Sequence, residues 1–175
     1  MKEFLLAEIN GAREYFERQR FPVEESQVGD LAVSYFVLPQ SLSPELPDFA
    51  MRMTHTDPDT NEVSGIFGVS DSVPEALRPY WAAHEVIEFT QIGINAPGRC
   101  ESAEERVLSL VPTNLRGEYV ARRTEFFTNL VEFFGRELRQ QTGNYTAADL
   151  NQAFAAREYL IRQAPQRPSV PVVRR

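Results

Sequence analysis

LAVSYFVL, residues 31–38, has the clearest strand pattern in this sequence and begins the region that decides the fold class. It is rich in β-branched and aromatic residues and is closed by Pro39, which is typical of a strand covered on both faces. FAMRMTHT at 49–56 and VSGIFGVS at 63–70 also have extended patterns, and the residues between them are turn formers. We therefore predict a hairpin and, with the first strand, a three-stranded antiparallel meander.

Helical periodicity surrounds these strands. Leu5, Ile9, Ala12 and Phe16 lie on one stripe and predict a first helix over residues 2–20, which Pro22 ends. Four helices are predicted after the strands: from Pro79 or Tyr80 to about Gly93, over 101–110, from 112 or 113 to about 141, and from a Thr146–Asp149 capping box to about 163. Because the strands are grouped and not interleaved with helices, the predicted class is α+β with a helical C-terminal half.

The predicted domain organisation is one α+β domain over residues 1–164. The last eleven residues, PQRPSVPVVRR, contain three prolines, have no periodicity and end in two arginines. Such a segment cannot bury enough apolar surface to order itself, so residues 165–175 are predicted to form a disordered basic tail.

Composition excludes some classes of function. The net charge of −7 argues against nucleic acid as a partner, since phosphate binding needs a dense Lys/Arg surface. No run approaches the roughly 20 apolar residues of a membrane span, and the N-terminus does not have the pattern of a signal peptide. Cys100 is the single cysteine, which favours a reducing cytoplasm, and Glu101 beside it disfavours a nucleophilic role. We predict a cytoplasmic protein without membrane partners.

The long helix has an aromatic stripe, which we interpret as core or as a subunit interface. The stripe comprises Tyr119, Phe126, Phe127, Phe133 and Phe134. Its apolar surface is larger than a helix needs in order to cover one small sheet. The protein is therefore expected to be a homo-oligomer, most simply a dimer.

His84-Glu85-Val-Ile-Glu88 is the one cluster of ionisable residues within an apolar segment at a spacing that chemistry can use. At about 100° per residue the three side chains share one quadrant of a helix. His84 and Glu88, four residues apart, have Cβ atoms about 5–6 Å apart and can converge on one ion. Glu85 can then reach a water held by that ion.

This segment resembles the His-Glu-x-x-His helix of zincin metallopeptidases, in which two histidines bind zinc and the glutamate is the general base. The resemblance implies that His84 is a metal ligand and Glu85 the catalytic base. Glu88 stands where that family has its second histidine. A carboxylate is a harder ligand than an imidazole, so the site would be less selective for zinc and could also bind manganese or magnesium. The order of a helix, antiparallel strands and an active helix is also similar to a minimal zincin core.

A zincin needs a third protein ligand, often a glutamate on a later helix. Glu118 is one candidate, and Glu101, Glu104 and Glu105 are others. His55 is a further candidate because it falls on the same strand face as Met51 and Met53. The sequence does not choose among these residues.

Two functions follow as hypotheses. The first is a small metal-dependent hydrolase acting on a peptide, with His84 and Glu88 binding the metal and Glu85 activating water. The second is a non-catalytic protein without a metal site, whose acidic surface and aromatic helix bind a protein partner or a second copy of the chain. In that case Arg78, Glu85, Glu88 and Gln91 are the solvated polar face of an ordinary amphipathic helix.

Overall fold

The computed structural model of the protein describes residues 12–57 and 59–164. The tail predicted over residues 165–175 and the first ten residues of the predicted N-terminal helix, 2–11, lie outside this part. Within it there are five α-helices, α1 to α5: Ala12–Arg18, Arg78–Ile87, Arg99–Leu110, Thr113–Arg139 and Ala147–Gln163. The four strands, β1 to β4, are Val23–Val28, Leu31–Leu38, Ala50–Thr56 and Val63–Ser70. The predicted α+β class is confirmed.

The sheet is mixed and has the order β1-β2-β4-β3. The β3–β4 hairpin forms as predicted, with Met53 opposite Ile66. The three-stranded antiparallel meander is wrong, because β2 pairs in parallel with β4 and β3 lies at the outer edge. The pairing of Phe36–Leu38 with Gly68–Ser70 joins the most buried parts of both strands at the centre of the sheet.

Strand β1 is absent from the sequence prediction. Four of its six residues, VEESQV, are polar, and it lies at the other edge of the sheet, antiparallel to β2. An edge strand with only Val28 fully buried has little of the apolar pattern on which strand prediction depends.

Helix α2 packs on the sheet and is enclosed on its other side by the later helices. It begins at Arg78 with Pro79 in its first turn, and it continues into a π-helical turn over Glu88–Ile92 that ends at Gly93. Trp81, Ala82 and Ala83 are completely buried. Since α2 is buried nearly all round, it is the central element of the domain and not an amphipathic surface helix.

The long helix α4 is covered by α5, which contributes Ala153, Ala156 and Leu160 to the core. The predicted capping box of α5 is confirmed: the Thr146 hydroxyl accepts from the backbone N–H of Asp149, and the Asp149 carboxylate accepts from the backbone N–H of Thr146. Among the helices that the structure describes, none is both long enough and apolar enough to cross a membrane.

Candidate metal site

His84 on α2 and Glu88, the first residue of the π-helical turn that follows α2, are both buried in the interior. Their relative exposures are 2% and 3%. These two side chains are therefore not exposed to solvent, and the solvated-face interpretation is wrong. Buried ionisable groups are costly unless they are paired, so each must have partners close by.

The two ring nitrogens of His84 face two different carboxylates. Nδ1 lies 2.9 Å from Oε1 of Glu104, and Nε2 lies 3.3 Å from Oε1 of Glu88. Nδ1 of His84 and Oε1 of Glu88 have no hydrogen-bond partner among the described residues. Each of the two atoms is therefore held by an ionic contact at short range rather than by a hydrogen bond.

Cys100 completes a group of three with His84 and Glu88. One imidazole nitrogen, one carboxylate oxygen and the Cys100 sulfur all lie within 4.8 Å of one another. Cys100 reaches them because Gly98, at a φ of 68°, turns the chain back and begins α3 beside the end of α2. The π-helical turn that starts at Glu88 widens the helix at this point, a feature that often marks functional sites.

Glu88 divides its two oxygens between different neighbours. Oε2 accepts a hydrogen bond from Arg52 of β3 at 3.2 Å and lies 3.5 Å from Nε of Arg99. Oε1 faces His84. The arginines therefore compensate the charge of Glu88 from one side and leave the other oxygen directed at the histidine and the cysteine.

Glu104 is anchored from the opposite side by α4. Its Oε1 accepts from Nε of Arg123 at 2.7 Å and also from Nη2 of that residue, and its Oε2 accepts from the Tyr119 hydroxyl at 2.8 Å. The Arg123 guanidinium is completely buried and lies 4.4 Å from the ring centroid of Trp81. This network fixes the carboxylate that in turn orients His84.

The pKa values follow from these contacts. Burial works against ionisation of Glu104, but the Arg123 and His84 charges outweigh it and lower the pKa of Glu104 to about 2. For Glu88, burial is likewise outweighed, by His84 and Arg99, and its pKa falls well below the ordinary value. Burial and Arg123 lower the pKa of His84, yet Glu104 leads the interactions that raise it well above its usual range.

The remaining two groups shift upward. Burial, followed by the charge of Glu88, raises the pKa of Glu85 above its ordinary value. Burial also raises the pKa of the Cys100 thiol, to about 11, although His84 opposes the shift. A raised pKa moves Glu85 toward the range in which a carboxylate is an effective general base near neutral pH.

The predicted ligands are thus only partly brought together. His84 and Glu88 converge, whereas Glu118 lies exposed on α4 and accepts a hydrogen bond from Arg122, which corrects the predicted ligand set. Of the other glutamates, Glu104 reaches His84 but on Nδ1, and Glu101 contacts Arg162 on the surface. His55 lies on β3 opposite Ser64, and its side chain is outside the described part.

The donor set of the group fits a divalent ion. Zinc binds imidazole at about 2.0–2.1 Å and carboxylate at about 2.0–2.2 Å with tetrahedral geometry, so two such donors lie roughly 3.3 Å apart. The distance between Nε2 of His84 and Oε1 of Glu88 is 3.3 Å. Thiolate as the third donor favours zinc over the harder manganese and magnesium.

The group borders a cleft of about 310 Å³, whose lining includes His84, Glu85, Glu88 and Cys100. A ligand in the cleft therefore has access to both the three donors and the Glu85 carboxyl. This is the combination of an apolar cavity, convergent polar groups and perturbed pKa values by which small-molecule sites are recognised.

Comparison with known proteins gives no match: no family model, no curated protein and no solved structure matches the chain.

Proposed function

We propose that the protein is a metal-dependent hydrolase whose metal site consists of His84 Nε2, Glu88 Oε1 and the Cys100 sulfur. The observation that carries the proposal is the 3.3 Å separation of the first two atoms, which equals the distance between two donors on one tetrahedral ion. Because Oε1 of Glu88 has no hydrogen-bond partner among the described residues, an ion would satisfy a group that is otherwise costly to bury.

Glu104 supports the same proposal from behind His84. A metal-binding histidine commonly donates its other ring N–H to a carboxylate, which fixes the tautomer and turns the free nitrogen toward the ion. Glu104 Oε1 stands 2.9 Å from Nδ1, and Arg123 and Tyr119 hold that carboxylate in place. A metal ion would displace the proton from Nε2, the nitrogen that faces Glu88, and leave the proton on Nδ1 directed at Glu104.

The chemistry proposed is addition of water to the carbonyl carbon of an amide or ester. The ion supplies Lewis acidity when bound. Glu85 accepts a proton from the attacking water and passes it to the departing nitrogen or oxygen, so the C–N or C–O bond breaks and the acid and the amine or alcohol are formed. The raised pKa of Glu85 suits it to hold that proton between the two steps.

A competing enzyme mechanism is a cysteine nucleophile, since His84 lies between Cys100 and Glu104 in the order nucleophile, base and orienting carboxylate. Two features disfavour it. The Glu88 carboxylate beside the sulfur opposes a thiolate, and burial raises the pKa of Cys100 to about 11. Metal binding turns the same sulfur into a ligand and needs no free thiolate.

The test is zinc binding measured by calorimetry together with hydrolysis of a panel of amides and esters. His84→Ala should abolish tight binding and activity together, because it removes the only nitrogen donor. Glu85→Gln should bind zinc as the unaltered protein does but lose hydrolysis. Glu105→Gln, an exposed residue next to Glu104, is the matched control and should behave as the unaltered protein. A protein that binds neither zinc nor manganese would leave the non-catalytic alternative.

A further inference from the structure

The cleft beside the candidate metal site is lined by two groups of side chains that differ in polarity. The polar group comprises Arg52, Glu85, Glu88, His84 and Cys100, and Glu88 lies close to Arg52, His84 and Cys100. The other group comprises the apolar residues of the β2–β3 connection, of β3 and of α4. A molecule that fills this space must therefore be amphipathic, with its polar group at the metal site.

The apolar wall is built mainly by the aromatic stripe of α4. Five of its lining residues follow helical spacing on one face of this helix: Phe126, Phe127, Leu130, Phe133 and Phe134. Tyr145, in the loop before α5, packs with its ring centroid 5.3 Å from that of Phe133 and 4.8 Å from that of Phe134. The stripe thus has a use besides covering the core: it lines a space large enough for a ligand.

The charged residues of the cleft argue against a ligand whose apolar portion also carries a carboxylate. Arg52, the arginine that lines the cleft, is already hydrogen-bonded to Glu88. Arg123 lies behind the site, bound to Glu104 and stacked among aromatic rings, and does not line the cleft. A carboxylate on the ligand, placed among the apolar lining residues, would therefore be buried without a neighbouring cation, which is costly.

We infer that the cleft selects amides or esters whose acyl part carries a large uncharged apolar group, such as an aromatic ring or an extended alkyl chain, with the reacting carbonyl at the metal site. This rests on the proposed function. The apolar group lies against Phe126, Leu130 and Phe133, and the carbonyl lies beside Glu85. Binding energy from the apolar group positions the carbonyl, so short acyl substrates should be poor ones.

A series of n-alkyl hydroxamates tests the inference on the zinc-loaded full-length protein. The hydroxamate head group chelates zinc, and the alkyl chain probes the cleft. Affinity should rise about fourfold for each added methylene until the chain fills the cleft, as expected for transfer of apolar surface from water. The matching n-alkyl primary amides, which lack the chelating head group, should bind more weakly but show the same dependence on chain length.

Two variants that fill the cleft without touching the metal donors complete the design. Leu130→Trp and Ala50→Leu should each remove most of the dependence on chain length while zinc and the shortest hydroxamate still bind. Glu132→Trp, at an exposed position on the same helix, should keep the full dependence. A dependence that survives in both filled variants would overturn the inference.

The same data separate the two proposals. Tight hydroxamate binding that does not change with chain length contradicts the assigned substrate class and leaves the metal site standing. If hydroxamates and amides of the same length bound with equal affinity, and both bound more tightly as the chain grew, an apolar ligand in the cleft would be supported but the metal-dependent hydrolase would be contradicted.

Discussion

Glu104 Oε1 lies 2.9 Å from Nδ1 of His84, while the other nitrogen of the same ring faces Glu88 at 3.3 Å. One buried imidazole therefore connects the network of α3 and α4 to the lining of the cleft. Replacing both partners of a buried ion pair with apolar residues is often neutral or stabilising, so such a network is weak evidence of a purely structural role. Its position at a cleft makes it a candidate for function.

Glu104 is predicted to be a positioning residue for the metal site. Tyr119→Phe removes the hydroxyl that donates to Oε2 of Glu104 and should weaken zinc binding, with a modest loss of about 1 kcal/mol in unfolding free energy. Glu104→Gln should weaken zinc binding by roughly 10–100-fold, the usual cost of losing such a partner. Calorimetric zinc titrations and urea unfolding measure the two effects separately.

Controls distinguish positioning from general destabilisation. Tyr80→Phe alters a half-buried tyrosine whose ring packs against Tyr119 at 6.5 Å. It should leave zinc affinity unchanged even if it lowers stability. If Tyr80→Phe and Tyr119→Phe reduced zinc affinity equally, the effect would come from packing and not from the Glu104 carboxylate.

Stability at acid pH is predicted to depend on Glu104. Its pKa is about 2 in the folded protein against an ordinary value of 4.5. A lowered pKa gives stability that is complete above the ordinary value and is lost as the pH falls from about 4.5 toward 2. For a difference of about 2.5 pKa units at about 1.4 kcal/mol each, the loss should be on the order of 3 kcal/mol by pH 2.

Urea unfolding of the metal-free protein at several pH values between 5 and 2 measures this loss. Glu104→Gln has no carboxyl to titrate, so its curve should fall less steeply than that of the unaltered protein over the same window. His84 is fully protonated throughout the window in both the folded and unfolded states, because its folded pKa is raised, and it adds no slope there. Parallel curves for the two proteins would contradict the assignment.

Most of the fold, and the pairing of His84 with Glu88 in the candidate site, can be predicted from the sequence. Periodicity located the helices, and the β3–β4 turn and the α5 cap follow from local chemistry that needs no tertiary information. The order of the strands cannot be predicted from local chemistry, because it depends on which apolar segments pair across the sheet. The geometry of a helix brought His84 and Glu88 together, as four-residue spacing predicts.

The rest of the site depends on tertiary contacts between helices. The sequence disfavours Cys100 as a nucleophile because Glu101 follows it and does not indicate Cys100 as a metal ligand, but neighbours on a helix point about 100° apart. Glu101 accordingly contacts Arg162 and not the cluster. Arg123 did leave a signal, since a charge interrupts the apolar stripe between Tyr119 and Phe126 at a position that helical spacing directs inward.

Self-association stays a prediction, but the expected interface is no longer the aromatic stripe of α4. The aromatic stripe of α4 is used by α5 and by the cleft, whereas Phe154 and Ile161, each 47% exposed, lie seven residues apart on one face of α5. We expect a dimer through this face. Light scattering should show that Phe154→Glu with Ile161→Glu yields a monomer near 20 kDa. Val63→Glu, at an exposed apolar position on β4, should leave the dimer intact.

The reactivity of Cys100 separates the two enzyme mechanisms most directly. In the metal-free protein the buried thiol, with a pKa of about 11, should react with iodoacetamide far more slowly than an exposed cysteine at pH 7.5. Zinc should suppress the reaction further at one equivalent, because the sulfur becomes a ligand. Mass spectrometry of the single cysteine follows both rates in the same sample.

Cys100→Ser and Cys100→Ala extend the measurement to activity. If the sulfur is a metal ligand, both variants should lose zinc affinity, and high zinc concentrations should restore part of the hydrolysis, since His84, Glu88 and Glu85 remain. If Cys100 is instead the nucleophile, no zinc concentration restores activity, and alkylation of the unaltered protein is fast at neutral pH and indifferent to zinc. Rapid, zinc-independent alkylation would therefore replace the metal-dependent mechanism with the Cys100–His84–Glu104 one, and slow, zinc-protected alkylation would exclude it.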